Sequence, residues 1–173
     1  MRSVPTDYEV LMNIIKERRS TRMFKPEAVE KEKIEKLIEA GRWAASGGNT
    51  QPWEFVVITH EKLISTLKMT MTGVMGMIDN VPALICICVN RERRTHSAHI
   101  DIGCALQNIL LCAYSLGLGS CTISGFDAPC VTQLLELPDH LDPALFVILG
   151  YSEKKPSPPP RMTLNQLIFR RFE

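Results

Sequence analysis

The sequence predicts one mixed domain that contains both amphipathic helices and a few apolar strands. Its 173 residues suit a single domain and are too few for two comfortable ones. Apolar residues recur at helical spacing in some segments and form short continuous runs in others, which indicates both kinds of element. After Gly150 the character changes, because prolines replace the periodic segments. We therefore predict a single domain over residues 1–173, with residues 151–173 forming an extended arm.

Helical spacing of apolar residues predicts the helices. They span Tyr8 to Glu17, Glu30 to Ala44, Lys62 to Thr70, Ser97 to Ser115 and Cys130 to Leu135. Gly117 should end the longest of them, since glycine readily adopts the left-handed conformation that follows a helix. Apolar residues wrap nearly all round this helix. We therefore expect it to be buried, against a second subunit if its own domain is too thin to cover it.

Short runs of β-branched, aromatic and aliphatic residues predict the strands. They span Trp53 to Thr59, Ala83 to Val89, Cys121 to Ser124 and Leu145 to Leu149. The run from Ala83 to Val89 reads ALICICV and has no charged position, so it should be buried on both faces of a sheet. We expect Gly73 to Asn80 to be mobile and Arg91 to Arg94 to form a solvated loop.

The proline-rich segment from Pro156 to Pro160 can continue neither a helix nor a central strand. It should form a stiff, extended arm. Beyond it come apolar residues that need covering, namely Leu164, Leu167, Ile168, Phe169 and Phe172. An arm that leaves its domain and ends in apolar residues predicts wrapping around a partner subunit.

The composition argues against several functional classes. A net charge of +1 gives no global field to attract nucleic acid or an anionic membrane. The longest apolar stretch, Val81 to Val89, is far shorter than the roughly 20 residues of a membrane-spanning helix. The start, MRSVPTDYEV, lacks the apolar region of a signal peptide, so we expect a cytoplasmic protein. The six cysteines lack zinc-ligand spacing, and we interpret them as reduced core residues with no metal site.

Two polar segments are candidate ligand sites. The run Arg18-Arg19-Ser20-Thr21-Arg22 offers fork-shaped donors and a hydroxyl that suit a phosphate, although such runs are more often solvated helix ends. The loop ASGGNTQPW, from Ala45 to Trp53, has small residues that let the backbone approach a flat ligand. Its Asn49 and Gln51 could hydrogen-bond the edge of a heteroaromatic ring. Taken alone, this loop is better explained as an ordinary helix-to-strand turn with Trp53 as a core anchor.

A third segment, GLGSCTISGF from Gly117 to Phe126, places two glycine-bearing turns around a short strand. This arrangement should leave the backbone N–H groups near Ser124 and Gly125 free. It is not a dinucleotide-binding Gly-x-Gly-x-x-Gly motif, because the long helix precedes it. Arg161 is the only charge between Pro156 and Asn165. It could close a phosphate site from the end of the rigid arm.

Taken together and in this order, the motifs resemble those of the nitroreductase family. The resemblance runs from about Ile14 to Phe172, and the first two motifs carry most of it. It implies a nitroreductase-like α+β fold, with a central, mostly antiparallel sheet flanked by helices. It also implies a homodimer that exchanges its C-terminal arms and holds two FMN molecules at the interface.

The resemblance further implies which residues bind the flavin. The segment Arg18-Arg19-Ser20-Thr21-Arg22 would hold FMN, with Arg18, Arg19 and Ser20 at the phosphate and Arg22 near the pyrimidine edge. Arg161 would join them at the phosphate. The flavin would be lined, from the other subunit, by Ala45, Ser46, Gly47, Asn49 and Gln51. The backbone at Ile123, Ser124 and Gly125 would face the ring and its N5.

The implied activity is an NAD(P)H-dependent oxidoreductase. NAD(P)H would pass hydride to flavin N5, and a nitroaromatic, a quinone or a flavin would then take its place, in a ping-pong sequence without a protein nucleophile. Ser124 stands where many larger relatives carry an acidic residue. The segment between Trp53 and Asp101 is too short for their long insertions, so the pocket should be more open.

Other functions stay open at this point. Within flavin chemistry, FMN reductase and dehalogenase activities are alternatives. A protein that stores or senses FMN without turnover is another. Binding of nucleic acid through the arginine clusters is disfavoured by the charge balance and the lack of interleaved aromatic residues.

Overall fold

A computed structural model describes residues 4–72 and 80–172 and confirms the α+β class. Four strands form one sheet in the order β1-β2-β4-β3. They are β1 (Trp53–Ile58), β2 (Ala83–Asn90), β3 (Gly119–Ile123) and β4 (Leu141–Gly150). All three pairings are antiparallel, which confirms the mostly antiparallel sheet.

Five helices lie where the periodicity predicts them, and a sixth lies in the segment that was predicted to be an extended arm. They are α1 (Asp7–Glu17), α2 (Lys31–Arg42), α3 (Glu61–Thr70), α4 (Ala98–Ser115), α5 (Ala128–Leu134) and a short α6 (Leu164–Leu167). Thr6 caps α1 with a reciprocal side-chain bond to Glu9, and Asp127 caps α5 by accepting from Cys130 N, so these starts are fixed locally. Gly117 follows α4 with φ of 77° and ends it as predicted.

The central strand β2 is buried at all eight positions, which confirms the prediction of a strand covered on both faces. Its odd-numbered side chains, such as Ile85 and Ile87, pack with α2 and α4. Its even-numbered side chains, such as Leu84 and Cys86, pack with α3 and α5. The fold is thus a sheet between two helical layers, because side chains alternate between the faces of a strand.

The last strand is longer than predicted. The prediction began at Leu145, whereas β4 begins at Leu141. Pro143 lies within the added part, opposite Cys88, and the register shifts between Ile87 and Cys88. Proline cannot donate a ladder hydrogen bond, so a strand accommodates it at such an irregularity. The proline made this part of the sequence resemble a turn.

The cysteines are all free thiols. Cys86, Cys88 and Cys121 lie buried in the core that faces α3 and α5. The hydrogen bond that the Cys86 thiol shares with Cys88, together with burial, raises the pKa of the Cys86 thiol. These three agree with the interpretation of the cysteines as small core residues, whereas Cys104, Cys112 and Cys130 are only partly buried.

The arm beyond Gly150 is exposed in the single chain. Its apolar side chains include Leu164 at 74%, Phe169 at 95% and Phe172 at 87% exposure. In α4 the exposed side includes Ile100, at 71%, so the chain alone does not cover this helix all round.

Across residues 4–72 and 80–172, no helix combines the length and apolar character needed to cross a membrane. The predicted mobility of Gly73 to Asn80 concerns residues that, apart from Asn80, lie outside the described part.

Candidate functional site

The arginine-rich segment begins where α1 ends. Arg18 is the C-cap of α1, with extended backbone at φ −59° and ψ 135°. The segment then lies beside the start of β3, where Thr21 N donates to Ser120 O at 2.9 Å. Thr21 is buried, whereas Ser20 and Arg22 are exposed. Because an extended chain alternates its side chains, Ser20 and Arg22 face solvent and Thr21 faces the protein.

Arg19 turns back onto the helix that precedes it. Its guanidinium donates to the carbonyl oxygen of Lys16 and, at 2.9 Å, to that of Arg18. Its Nε is buried without a hydrogen-bond partner in the described part of the chain. A cation at the C-terminal end of a helix complements the partial negative charge there. Arg19 therefore satisfies carbonyl groups that the end of α1 leaves open.

The contact between this segment and β3 is very close. A Cβ added to Gly119 would lie 2.8 Å from Cβ and Cγ2 of Thr21. No ordinary side chain fits in that space without a shift. Glycine at position 119 therefore lets the arginine-rich segment lie directly against the sheet.

The other end of β3 carries the third predicted segment. Ile123 is the last residue of the strand, and Ser124 follows it, exposed. Gly125 O accepts from Thr72 N at 2.9 Å, while no hydrogen bond among residues 4–72 and 80–172 uses the N–H of Ser124 or Gly125. At about 3.3 Å per residue, Ser124 lies about 13 Å along the strand from Ser120. One edge of the sheet thus has the arginine-rich segment at one end and free backbone donors at the other.

The loop from Ala45 to Gln51 has a backbone that few residues adopt. Gly48, Asn49 and Gln51 have φ of 58°, 56° and 48°, in the left-handed region that is unfavourable for ordinary side chains. The Nε2 of Gln51 donates to the carbonyl and side-chain oxygens of Asn49. Ser46 Oγ accepts from Gln51 N at 3.0 Å. Ala45, Gly47 and Asn49 are exposed, so the loop presents small groups and amides to its surroundings.

The loop and the arginine-rich segment lie at opposite ends of α4. Gly47 N donates to Asp101 of the first turn of α4 at 3.1 Å, whereas a cavity of about 190 Å³ beside Arg18 is lined by Tyr114 and Leu118 near its last turn. Between Asp101 and Tyr114 the helix rises about 20 Å. One chain therefore does not bring its own two motifs together.

The arm passes over the arginine-rich segment as it leaves the domain. Lys155 Nζ bonds Glu17 Oε2 at 2.6 Å, and both residues line the cavity beside Arg18 and Arg19. The hydrogen bond from Lys155 lowers the pKa of Glu17. Arg161 is exposed further along the arm and makes no ion pair with the described residues. The sequence does not reveal Lys155 as part of this site, because nothing local links it to a residue 138 positions earlier.

The donors fit a ligand with an anionic tail and a flat, polar head. Arg18 and Arg22 take part in no ion pair with the described residues, so their charges are available to a phosphate or a ring oxygen. The free N–H groups at Ser124 and Gly125 would meet the far end of such a ligand. The fold and this donor set suit a class of protein in which the ligand is a bound cofactor and the protein supplies binding and electrostatics.

The comparisons with known proteins agree with this class. The model of the nitroreductase family matches residues 15–75 and 69–151. A protein of Archaeoglobus fulgidus that is provisionally named NADH dehydrogenase/NAD(P)H nitroreductase is 30% identical over 83% of this chain and 86% of its own length. The chain belongs to the nitroreductase family, and it is an oxidoreductase.

Solved structures share the fold closely. A structure from Parabacteroides distasonis, with the same provisional name, has a TM-score of 0.85 at 31% identity and covers 94% of this chain and 99% of its own. A structure from Clostridium difficile, described as an FMN-dependent nitroreductase, has a TM-score of 0.83 at 26% identity, covering 93% and 99% of the two chains. The family resemblance read from the motifs is thereby confirmed.

Proposed function

We propose that this protein binds FMN between two subunits and passes hydride from NAD(P)H to a small organic acceptor. The acceptor classes that suit it are nitroaromatics, quinones and free flavins. The observation that carries the proposal is the pair of donor groups at the two ends of β3. The arginine-rich segment lies by Ser120, and unbonded backbone N–H groups lie about 13 Å further along.

Each donor has a role that follows from its position. Arg18 and Ser20, with Arg19 beside them, would hold the phosphate, which Arg161 would close from the arm. Arg22 would lie by the pyrimidine edge, where a cation stabilises negative charge on the reduced ring. The backbone at Ile123, Ser124 and Gly125 would donate toward N5. The bound flavin supplies the hydride chemistry, and the chain orients and tunes it.

The second subunit follows from the length of α4. A flavin would be held by its phosphate at the arginine-rich segment, beside Tyr114, and the same chain's loop lies about 20 Å away along α4, at Asp101. The loop that lines it, with Ala45, Ser46, Gly47, Asn49 and Gln51, would therefore come from the partner. The exposed apolar side chains of the arm and the exposed side of α4 supply surface that such a dimer would bury.

The acceptor site would be the open face of the flavin. Ser124 is exposed and carries no carboxylate, so only the backbone would act there. NAD(P)H and the acceptor would use this face in turn, and a ping-pong rate law is expected.

An anaerobic titration tests the proposal. The purified protein is saturated with FMN, freed of excess cofactor and titrated with NADH and, separately, with NADPH while its absorption spectrum is followed. We expect the yellow colour to bleach with one of the two and to return when a quinone or nitroaromatic is added. Protein that stays yellow with both reductants would be a flavin-storage or sensing protein. Protein that never retains FMN would refute the proposal.

A further inference from the structure

A buried carboxylate on α4 lacks a cationic partner. Asp101 is only 4% exposed, yet no ion pair among the described residues includes it. Burying a carboxylate without a counter-charge is costly. Its position near the N-terminal end of α4 reduces that cost, because the helix dipole is positive there. A carboxylate that is buried at such a cost is expected to have a function, which its contacts should indicate.

The contacts of Asp101 join the start of α4 to the loop from Ala45 to Gln51. Oδ1 accepts from Gly47 N at 3.1 Å, and Oδ2 accepts from Ser97 Oγ at 3.4 Å. Ser97 Oγ also shares a 2.8 Å hydrogen bond with Thr95 Oγ1. Both carboxylate oxygens therefore accept a hydrogen bond, Oδ1 from the loop and Oδ2 from the residue that precedes α4.

The loop needs such an anchor. Two of its non-glycine residues, Asn49 and Gln51, have left-handed backbone, a conformation that persists only where the surrounding structure holds it. Beyond its internal hydrogen bonds, the loop is joined to α4 by the Gly47 N–H. A Cβ on Gly47 would lie 2.8 Å from Ser97 Oγ. Glycine at position 47 therefore lets the N–H come close enough to reach Asp101.

We propose that Asp101 is a positioning residue for the flavin site. It acts through Gly47 to fix the loop that lines the partner subunit's flavin, and it touches no cofactor itself. This inference rests on the proposed function, since the loop matters to catalysis only if FMN binds there.

Three variants test it, with Asn108→Ala as the matched control. Asn108 also makes one hydrogen bond from α4, to Ala40 O at 3.1 Å, but it does not contact the loop. Asp101→Ala removes both acceptors, whereas Asp101→Asn keeps an acceptor for Gly47 N and a donor for Ser97 Oγ. Gly47→Ala disturbs the same hydrogen bond from the loop side, because its Cβ would lie 2.8 Å from Ser97 Oγ. For each protein we would measure the FMN dissociation constant, the visible circular dichroism of the bound flavin and the melting temperature without FMN.

We expect Asp101→Ala and Gly47→Ala to weaken FMN binding by about ten- to hundredfold, because each loses one hydrogen bond to a charged group. Both should also change the dichroism of the bound flavin. Asp101→Asn should stay within about threefold of the wild type. Asn108→Ala should lower the melting temperature but leave both flavin readouts unchanged. The inference is overturned if Asp101→Ala binds FMN as tightly as Asn108→Ala, or if Asp101→Asn loses as much affinity as Asp101→Ala. A wild type that binds no FMN would instead refute the proposed function.

Discussion

A single methyl group at position 119 should measurably disturb the placement of the arginine-rich segment. In Gly119→Ala the new Cβ would lie 2.8 Å from Cβ and Cγ2 of Thr21. The backbone of Gly119 is not left-handed, so the alanine suffers from crowding and not from its torsion angles. Overpacking of this kind costs about 1–3 kcal/mol. In a chain of this size each kcal/mol lowers the melting temperature by about 2–4 °C.

Thermal unfolding of the FMN-free protein at one fixed concentration measures the effect, since association also shifts the melting temperature. The matched control is Gly103→Ala on α4, where no described residue of the single chain lies within 4 Å of the new Cβ. It should raise stability by about 0.5–1 kcal/mol. Thr21→Gly removes the opposing Cβ, so adding it to Gly119→Ala should cost less than the two changes summed. If Gly119→Ala melts no lower than the wild type, or the two changes are additive, the segment does not lie against β3.

Three further outcomes are expected. Mixed dimers of Arg18→Ala and Gly47→Val chains should bind one FMN per dimer, while either variant's homodimer binds almost none. In the mixed dimer one of the two flavin sites combines an intact arginine-rich segment with an intact loop. A mixed dimer that binds no FMN would show that both motifs act within one chain. Deleting residues 157–173 should give a monomer by light scattering with little bound FMN, and a stable dimer would contradict the arm's role. The Arg42 hydrogen bond lowers the pKa of Glu39 from 4.5 to about 2. Because the folded pKa is depressed, Glu39 contributes stability above about pH 4.5 that is lost toward pH 2. The melting temperature of Glu39→Gln should therefore fall below that of the wild type at neutral pH and converge with it in acid, and a gap that is independent of pH would refute this.

The sequence predicted the elements well because their signals are local. Apolar periodicity located α1 to α5, and the uninterrupted apolar run located β2. The start of β4 was missed because Pro143 is atypical inside a strand, and only its partner strand shows the irregularity that accommodates it. Local signals thus identify an element but do not show how its neighbours adapt to it.

The site was predictable as a set of motifs but not as a geometry. Nothing in the local sequence indicates that Arg19 bonds the end of its own helix, or that Lys155 pairs with Glu17 across the chain. Asp101 looked like one polar residue in an apolar helix. Its contact with Gly47 depends on the packing of a loop 54 positions away.

The central claim is that distant parts of the chain converge on the phosphate of a bound flavin. The most direct measurement compares FMN with riboflavin, which lacks the phosphate, in the wild type and in Arg18→Ala/Arg161→Ala. The wild type should bind FMN far more tightly than riboflavin, and the double variant should lose that preference while its affinity for riboflavin stays the same. The double variant should also purify colourless. A double variant that purifies yellow and still prefers FMN would contradict the claim.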